Sequence, residues 1–213
     1  MHPDAKPLDA EKVLTKLDKH GVECVVIGSY GAIMHGVPLT ETDIDLVPKL
    51  TKDNVRALAK ALIDLGVDER HGASPAVVRF LQEMPEFITS NSIWVVLTDH
   101  GEVDITMRPG GFPGGYDDLV DNAEDVGGGS TVLIASLEDI KRSKEVAGRE
   151  KDREALEKFP DIPRSRPPIP LPPLPIRDEL TMRMRSASNK GGLVLRPTTD
   201  RRTGKTVMRW MRP

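Results

Sequence analysis

Residues 23–47 read Glu23-Cys24-Val25-Val26-Ile27-Gly28-Ser29-Tyr30-Gly31-Ala32-Ile33-Met34-His35-Gly36-Val37-Pro38-Leu39-Thr40-Glu41-Thr42-Asp43-Ile44-Asp45-Leu46-Val47. The run Cys-Val-Val-Ile is too short for a helix and β-branched enough for a buried strand. Gly28-Ser29 then opens a short helix over Ser29–His35. A Gly-Ser at a strand-to-helix junction lets backbone amides approach an anion at the helix N-terminus. The stretch ends in a second strand, Asp43–Val47, which alternates acidic and apolar residues. Residues i and i+2 of a strand share a face, so Asp43 and Asp45 point the same way. Paired carboxylates repel unless a cation lies between them. Hard divalent cations take such oxygen ligands.

Working outward, Leu8, Val13, Leu14 and Leu17 give a helix over Leu8–His20 that Gly21 stops. Thr51 is the expected N-cap of a helix running through Leu58, Leu62 and Leu65 to Gly66. Ile93–Leu97 and Glu102–Met107 read as strands joined by the tight turn Asp99-His100-Gly101. Tyr116–Ala123 reads as a short helix and Thr131–Ala135 as a strand. Leu137–Ala147 and Glu150–Phe159 read as helices separated by Gly148. Gly110–Gly115 reads as a mobile loop forming one wall of a site, and Gly127-Gly128-Gly129 as a flexible turn. The pattern is α+β (mixed α/β): a mixed sheet flanked by helices.

The chain has 213 residues and a net charge of −3, a length that suits one ordinary domain with an appendage, or two small domains. The charge is divided unevenly. Residues 160–213 carry a net +8 and residues 1–159 a net −11, so two parts with different work are expected. The boundary falls at Pro160, where eight prolines in sixteen residues exclude helix and central strand. Residues 160–213 are thus expected to form a proline-rich extended linker, either a stiff polyproline spacer, a strap on the body or a ligand for a groove on a partner, and a basic C-terminal extension. Within the extension, Gly192–Arg196 and Lys205–Trp210 pair as a hairpin across Asp200–Gly204. Arg201, Arg202, Lys205 and Arg209, with Trp210 to stack on a base, are candidate nucleic-acid contacts; the other reading of the extension is a structural strap or oligomer contact. The single cysteine, Cys24, excludes a disulfide framework and a cysteine zinc site. No stretch approaches the roughly 20 apolar residues that span a bilayer. The start has no apolar core of a secretory signal, so a cytoplasmic location is expected.

Two further motifs bear on chemistry. Asp104 is flanked by Val103 and Ile105 in the returning strand. If that strand lies beside Asp43–Val47, Asp104 completes a three-carboxylate cluster; otherwise it is a solvent-facing acid. The helix over residues 137–147 and the segment after it place Lys144, Arg149 and Asp152 at spacings that read either as a solvated charged face or as a cationic face for a triphosphate.

Gly28-Ser29, then Asp43-x-Asp45, then the isolated strand acid Asp104 together resemble the nucleotidyltransferase superfamily, DNA polymerase β-like. Gly31-Ala32-x-x-x-His35-Gly36, the Leu137–Asp139 lead-in, Lys144, Ala147-Gly148-Arg149 and Lys151-Asp152 resemble its AbiEii/MenT-type toxin branch. The resemblance covers roughly residues 10–158. It departs at Leu39, where many relatives carry Arg, and at Glu41, where they carry Thr.

The resemblance implies a metal-dependent nucleotidyltransferase fold over residues 1–159. It implies transfer of a nucleoside monophosphate from an NTP to a hydroxyl, with release of pyrophosphate. Asp43, Asp45 and Asp104 are expected to bind Mg²⁺ or Mn²⁺. Gly28, Ser29, Lys144, Arg149 and Asp152 are expected at the nucleotide, with Lys144 on the triphosphate. The acceptor first expected is tRNA, in a toxin-type enzyme controlled by a cognate antitoxin protein. The alternatives are a small-molecule (antibiotic-type) or protein acceptor, or a non-catalytic relative that binds a nucleotide or a partner.

Overall fold

The computed structural model describes residues 6–67, 81–83, 85–90, 93–125 and 129–162, and the backbone of two strands at 194–199 and 206–211. The chain divides into two compact units, Met1–Leu171 and Pro172–Pro213.

In the first unit, α1 (Ala10–Lys19) is capped by Asp9, whose side chain accepts the amide of Lys12, and it buries Val13 and Leu17. The elements α2 (Gly28–Met34), between β1 (Cys24–Ile27) and β2 (Asp43–Pro48), and α3 (Lys52–Asp64) follow. Thr51 caps α3 through the amide of Asn54, as its position in the sequence suggests. A 3₁₀ turn (Pro85–Ser90) precedes the hairpin β3 (Ile93–Thr98) and β4 (Gly101–Thr106). Then come α4 (Tyr116–Leu119), β5 (Glu124–Asp125), β6 (Val132–Ile134), α5 (Leu137–Ala147) and α6 (Glu150–Leu156).

The six strands form one mixed sheet in the order β3-β4-β2-β1-β6-β5. The central strand β1 runs antiparallel to β2 and parallel to β6, and β2 runs parallel to β4. Both faces of β1 are buried, so its four residues are continuously apolar. Cys24 and Val26 enter one core with Val13 and Leu17 of α1, Leu58 and Leu62 of α3, and Ile44 and Leu46 of β2. Val25 and Ile27 enter the other with Val47, Phe112, Tyr116, Leu119 and Ile140. Burial pushes the Cys24 thiol up to about 12, which removes it from nucleophilic chemistry.

Four details differ from the sequence reading. The segment 116–123 is α4 followed by a 3₁₀ turn, Val120–Asn122, rather than one helix. The last helix ends at Leu156. The edge strand β5 consists of Glu124 and Asp125, residue types depleted in strands, so composition gives no sign of it. The loop Gly110–Gly115, expected to be mobile, is closely packed. A Cβ on Gly115 would stand 2.2 Å from the Met107 carbonyl oxygen, and one on Gly110 3.1 Å from that of Ser143. Phe112 is fully buried beneath the Arg142 guanidinium, 5.2 Å from its ring centre.

In the second unit, β7 (Val194–Thr199) and β8 (Thr206–Met211) pair antiparallel, each reaching beyond the segments expected of the hairpin. Register places Arg209 opposite Arg196 and Trp210 opposite Leu195. Arg201, Arg202 and Lys205, the turn 200–204, the proline run after Ile162 and Gly127-Gly128 lie outside the described residues.

Candidate active site

The sheet register assembles the acids. On β2, Ile44 and Leu46 turn to the first core, so Asp43, Asp45 and Val47 turn to the other face. On β4, Val103, Ile105 and Met107 belong to the first core, so Glu102 and Asp104 share the face of the β2 acids. Asp43 pairs with Glu102, and Asp45 with Asp104, across parallel strands. Asp43, Glu102 and Asp104 are all buried. One carboxylate oxygen from each of these three lies within 4.8 Å of the others. Like charges opposed across a sheet are unfavourable, and a divalent cation removes that conflict. The donor set therefore fits a hard cation such as Mg²⁺.

Asp104 thus joins the β2 acids, as the strand-adjacency condition required. Glu102 was not singled out in the sequence. Its signal was present as Glu102-x-Asp104, a second acidic pair at strand spacing that mirrors Asp43-x-Asp45. Asp45 is placed differently from its two expected co-ligands. Its Oδ2 lies over Gly28, where a Cβ would meet it at 2.0 Å. Gly28 also has φ +78°, so both backbone conformation and the carboxylate above it require glycine there.

The cations come from the helices. A Cβ on Gly31 would approach Ile140 Cδ1 to 3.0 Å, a measure of how closely α2 and α5 pack. The ring Nε2 of His35 lies 2.8 Å from the Ala135 carbonyl oxygen, tying the end of α2 to the segment leading into α5. This packing brings Lys144 Nζ to donate to Ser29 Oγ at 2.9 Å. Asp152, fully buried on α6, stands 3.6 Å from Lys144 Nζ. It also accepts two hydrogen bonds from Arg149, Nε to Oδ2 at 2.6 Å and Nη2 to Oδ1 at 3.2 Å. Gly148, with φ +59°, makes the left-handed C-cap that turns α5 into α6 and closes this triad.

Charges couple the two groups. Burial holds the Lys144 ammonium below its usual range, opposed by Asp152, Asp45 and Glu41. Burial also works against the Arg149 charge, yet Asp152, with Asp45 and Asp43 behind it, holds Arg149 above its ordinary value. Glu41 stands beside Asp43 and Ser29; burial first, then the Asp43 charge, raise its pKa. The residue where relatives carry Thr is therefore at the acidic face. The structure brings together Gly28, Ser29, Asp43, Asp45, Asp104, Lys144, Arg149 and Asp152. It adds Glu41 and Glu102.

A six-stranded mixed sheet, an acidic strand pair and a helix-borne lysine beside a Gly-Ser turn define a nucleotidyltransferase-type enzyme. The family model for aminoglycoside-2''-adenylyltransferases matches residues 9–159, and the chain belongs to that family. The match spans all of the elements from α1 through α6. It does not reach the AbiEii/MenT branch suggested by the local motifs. No curated protein and no solved structure matches the chain. Among the described residues, no helix is long and apolar enough to cross a membrane.

Proposed function

We propose that the chain transfers a nucleoside monophosphate, AMP in first place, from an NTP to a hydroxyl of a small polyamino acceptor of the aminoglycoside type. The observation that carries this reading is the placement of Lys144, hydrogen-bonded to Ser29, beside the acidic strand pair within a chain of this family. The net −11 of residues 1–159 favours a cationic acceptor over a polyanion. The tRNA reading rests on the basic extension, which lies beyond the family match, and on the branch resemblance.

In the mechanism, Asp43 and Asp104 would hold a divalent cation, which when bound would supply charge neutralisation at the reacting phosphate. Gly28 and Ser29 receive the β- and γ-phosphates. Lys144, steadied by Asp152, adds a positive charge to the same oxygens. Arg149 shares Asp152 and extends the cationic side. Asp104 accepts the proton of the acceptor hydroxyl, whose oxygen bonds to the α-phosphorus. The bond from that phosphorus to the bridging oxygen breaks, and pyrophosphate carries away the electron pair.

The test incubates the full chain with Mg²⁺, each α-labelled NTP in turn, and either an aminoglycoside panel or total tRNA. Label from ATP on an aminoglycoside, absent with Asp43→Asn, is the expected result. Label on tRNA alone overturns the small-molecule acceptor and restores the toxin-type reading.

A further inference from the structure

On the two acidic strands, the mechanism above leaves Asp45 and Glu102 without a part, and of these two Glu102 lies in the carboxylate cluster. It is 5% exposed, stands opposite Asp43 in parallel register, and lies two residues before Asp104 on the same face. One of its oxygens falls with one from Asp43 and one from Asp104 inside a 4.8 Å spread, which a single cation closes with small side-chain adjustments. Asp45 is not in that set. Its carboxylate leans over Gly28 and acts on Lys144 and Arg149.

We propose that Glu102 is a direct ligand of the divalent cation, with Asp43 and Asp104, and that this cage loads metal before any nucleotide arrives. The proposal rests on the nucleotidyltransferase reading of the same site. Mg²⁺ is commonly held by one or two carboxylates and completed by substrate phosphates. Three buried carboxylates converging on one point offer more, because they repel one another until a cation joins them. Asp45, turned to the lysine side, is left to link the cation to the phosphate-binding groups. The longer Glu side chain suits the outer position. Glu102 begins the acidic face of β4 across from Asp43, and its extra methylene lets the carboxylate reach back toward Asp104.

The experiment titrates Mn²⁺ into the full chain without nucleotide, following free Mn²⁺ by electron paramagnetic resonance and heat by calorimetry. The wild-type chain is expected to bind. Glu102→Gln, which keeps size and removes charge, is expected to weaken binding at least tenfold, since even outer-shell partners of a metal cost roughly 10–100-fold. Asp45→Asn is expected to weaken it less than Glu102→Gln. Should the Gln variant not fold by circular dichroism, Glu102→Thr, a residue suited to strands, repeats the measurement with the same expected loss. Equal Mn²⁺ affinity in Glu102→Gln and wild type overturns the proposal. So does a wild-type chain that binds Mn²⁺ only after NTP is added. Nucleotidyl transfer is assayed on the same wild-type preparation. Transfer without nucleotide-free Mn²⁺ binding overturns the ligand proposal and leaves the function standing. Glu102-dependent Mn²⁺ binding without transfer to any acceptor upholds the cage and removes the functional reading.

Discussion

On β2 and β4, Ile44, Leu46, Val103 and Ile105 face one side of the sheet, while Asp43, Asp45, Glu102 and Asp104 face the other. The backbone is shared, so the two faces differ in chemistry alone. One face is buried against α1 and α3 and contributes stability through apolar contact. The other gathers four carboxylates in register, an arrangement that costs stability until a cation occupies it. Strand alternation lets one pair of strands do both jobs, and substitutions on the two faces are therefore expected to separate activity from stability.

The largest effect falls on the acidic face. Asp43→Asn is expected to lower kcat about 10³-fold, the loss of several kcal/mol of metal-borne charge stabilisation. Its melting temperature is expected to be equal to or above that of the wild type without metal, because one of the opposed charges is gone. Steady-state kinetics and calorimetric melts check both halves. A strong loss of stability in Asp43→Asn would erase the division between the faces.

On the apolar face, Leu46→Ala is expected to cost about 2–5 kcal/mol in urea unfolding, the range for a fully buried leucine. Activity per folded molecule is expected to stay within twofold of wild type. Between these extremes lies Asp152, which belongs to the site by its contacts and to the core by its burial. Asp152→Asn takes from the buried Lys144 the strongest of its counter-charges and is expected to cost about 3 kcal/mol. It is also expected to raise KM for the NTP, since Lys144 loses the group that steadies it. A change in stability without a change in KM would make Asp152 a purely structural anion.

How legible each part was in the sequence follows the same division. Asp43-x-Asp45 and Gly28-Ser29 were readable because strand spacing and a strand-to-helix glycine are local patterns. The placement of Asp104 beside them was readable only as a condition, because the parallel β2–β4 pairing depends on everything between residues 49 and 92. Glu102 was overlooked for a related reason. Next to the turn Asp99-His100-Gly101, an acid looks like ordinary turn-flanking polarity, and only its register opposite Asp43 gives it a meaning. Lys144, Arg149 and Asp152 were legible as spacings on a charged segment. The choice between a solvated face and a site face was decided by the close α2–α5 contact at Gly31. The β5 edge, made of Glu124 and Asp125, carries no local signal. The branch suggested by the motifs also differs from the family that the chain matches over residues 9–159, since short motifs around a shared metal chemistry distinguish branches poorly.

A smaller effect is expected at Gly28, where the two requirements for glycine can be told apart. Gly28→Ala adds a Cβ 2.0 Å from Asp45 Oδ2 and strains a backbone at φ +78°. The strain alone is expected to cost about 1–2 kcal/mol. Displacement of Asp45 adds a fall in kcat that Asp45→Asn should already contain. The double variant is thus expected to be no slower than Asp45→Asn, within threefold, while keeping the stability loss of Gly28→Ala. Additive kinetic losses would place the role of Gly28 in the phosphate contacts rather than beneath Asp45.

The smallest effect is a pH dependence of stability centred on Lys144. Burial lowers the folded-state pKa of its ammonium below the ordinary lysine value of 10.5. Between that lowered value and 10.5, the unfolded chain binds more protons at this residue than the folded chain does. The derivative of unfolding free energy with pH is then positive, so the contribution of Lys144 to stability grows as pH rises through this alkaline window and is flat below it. Urea midpoints measured from neutral to alkaline pH are expected to show that increment in the wild type and to lack it in Lys144→Met. The difference between the two curves isolates Lys144 from the exposed lysines, which titrate alike in both proteins. A wild-type curve that falls relative to Lys144→Met across the window would mean that Asp152, Asp45 and Glu41 outweigh burial. Lys144 would then be a lysine stabilised in its charged form, held ready for phosphate by its acids rather than by its enclosure.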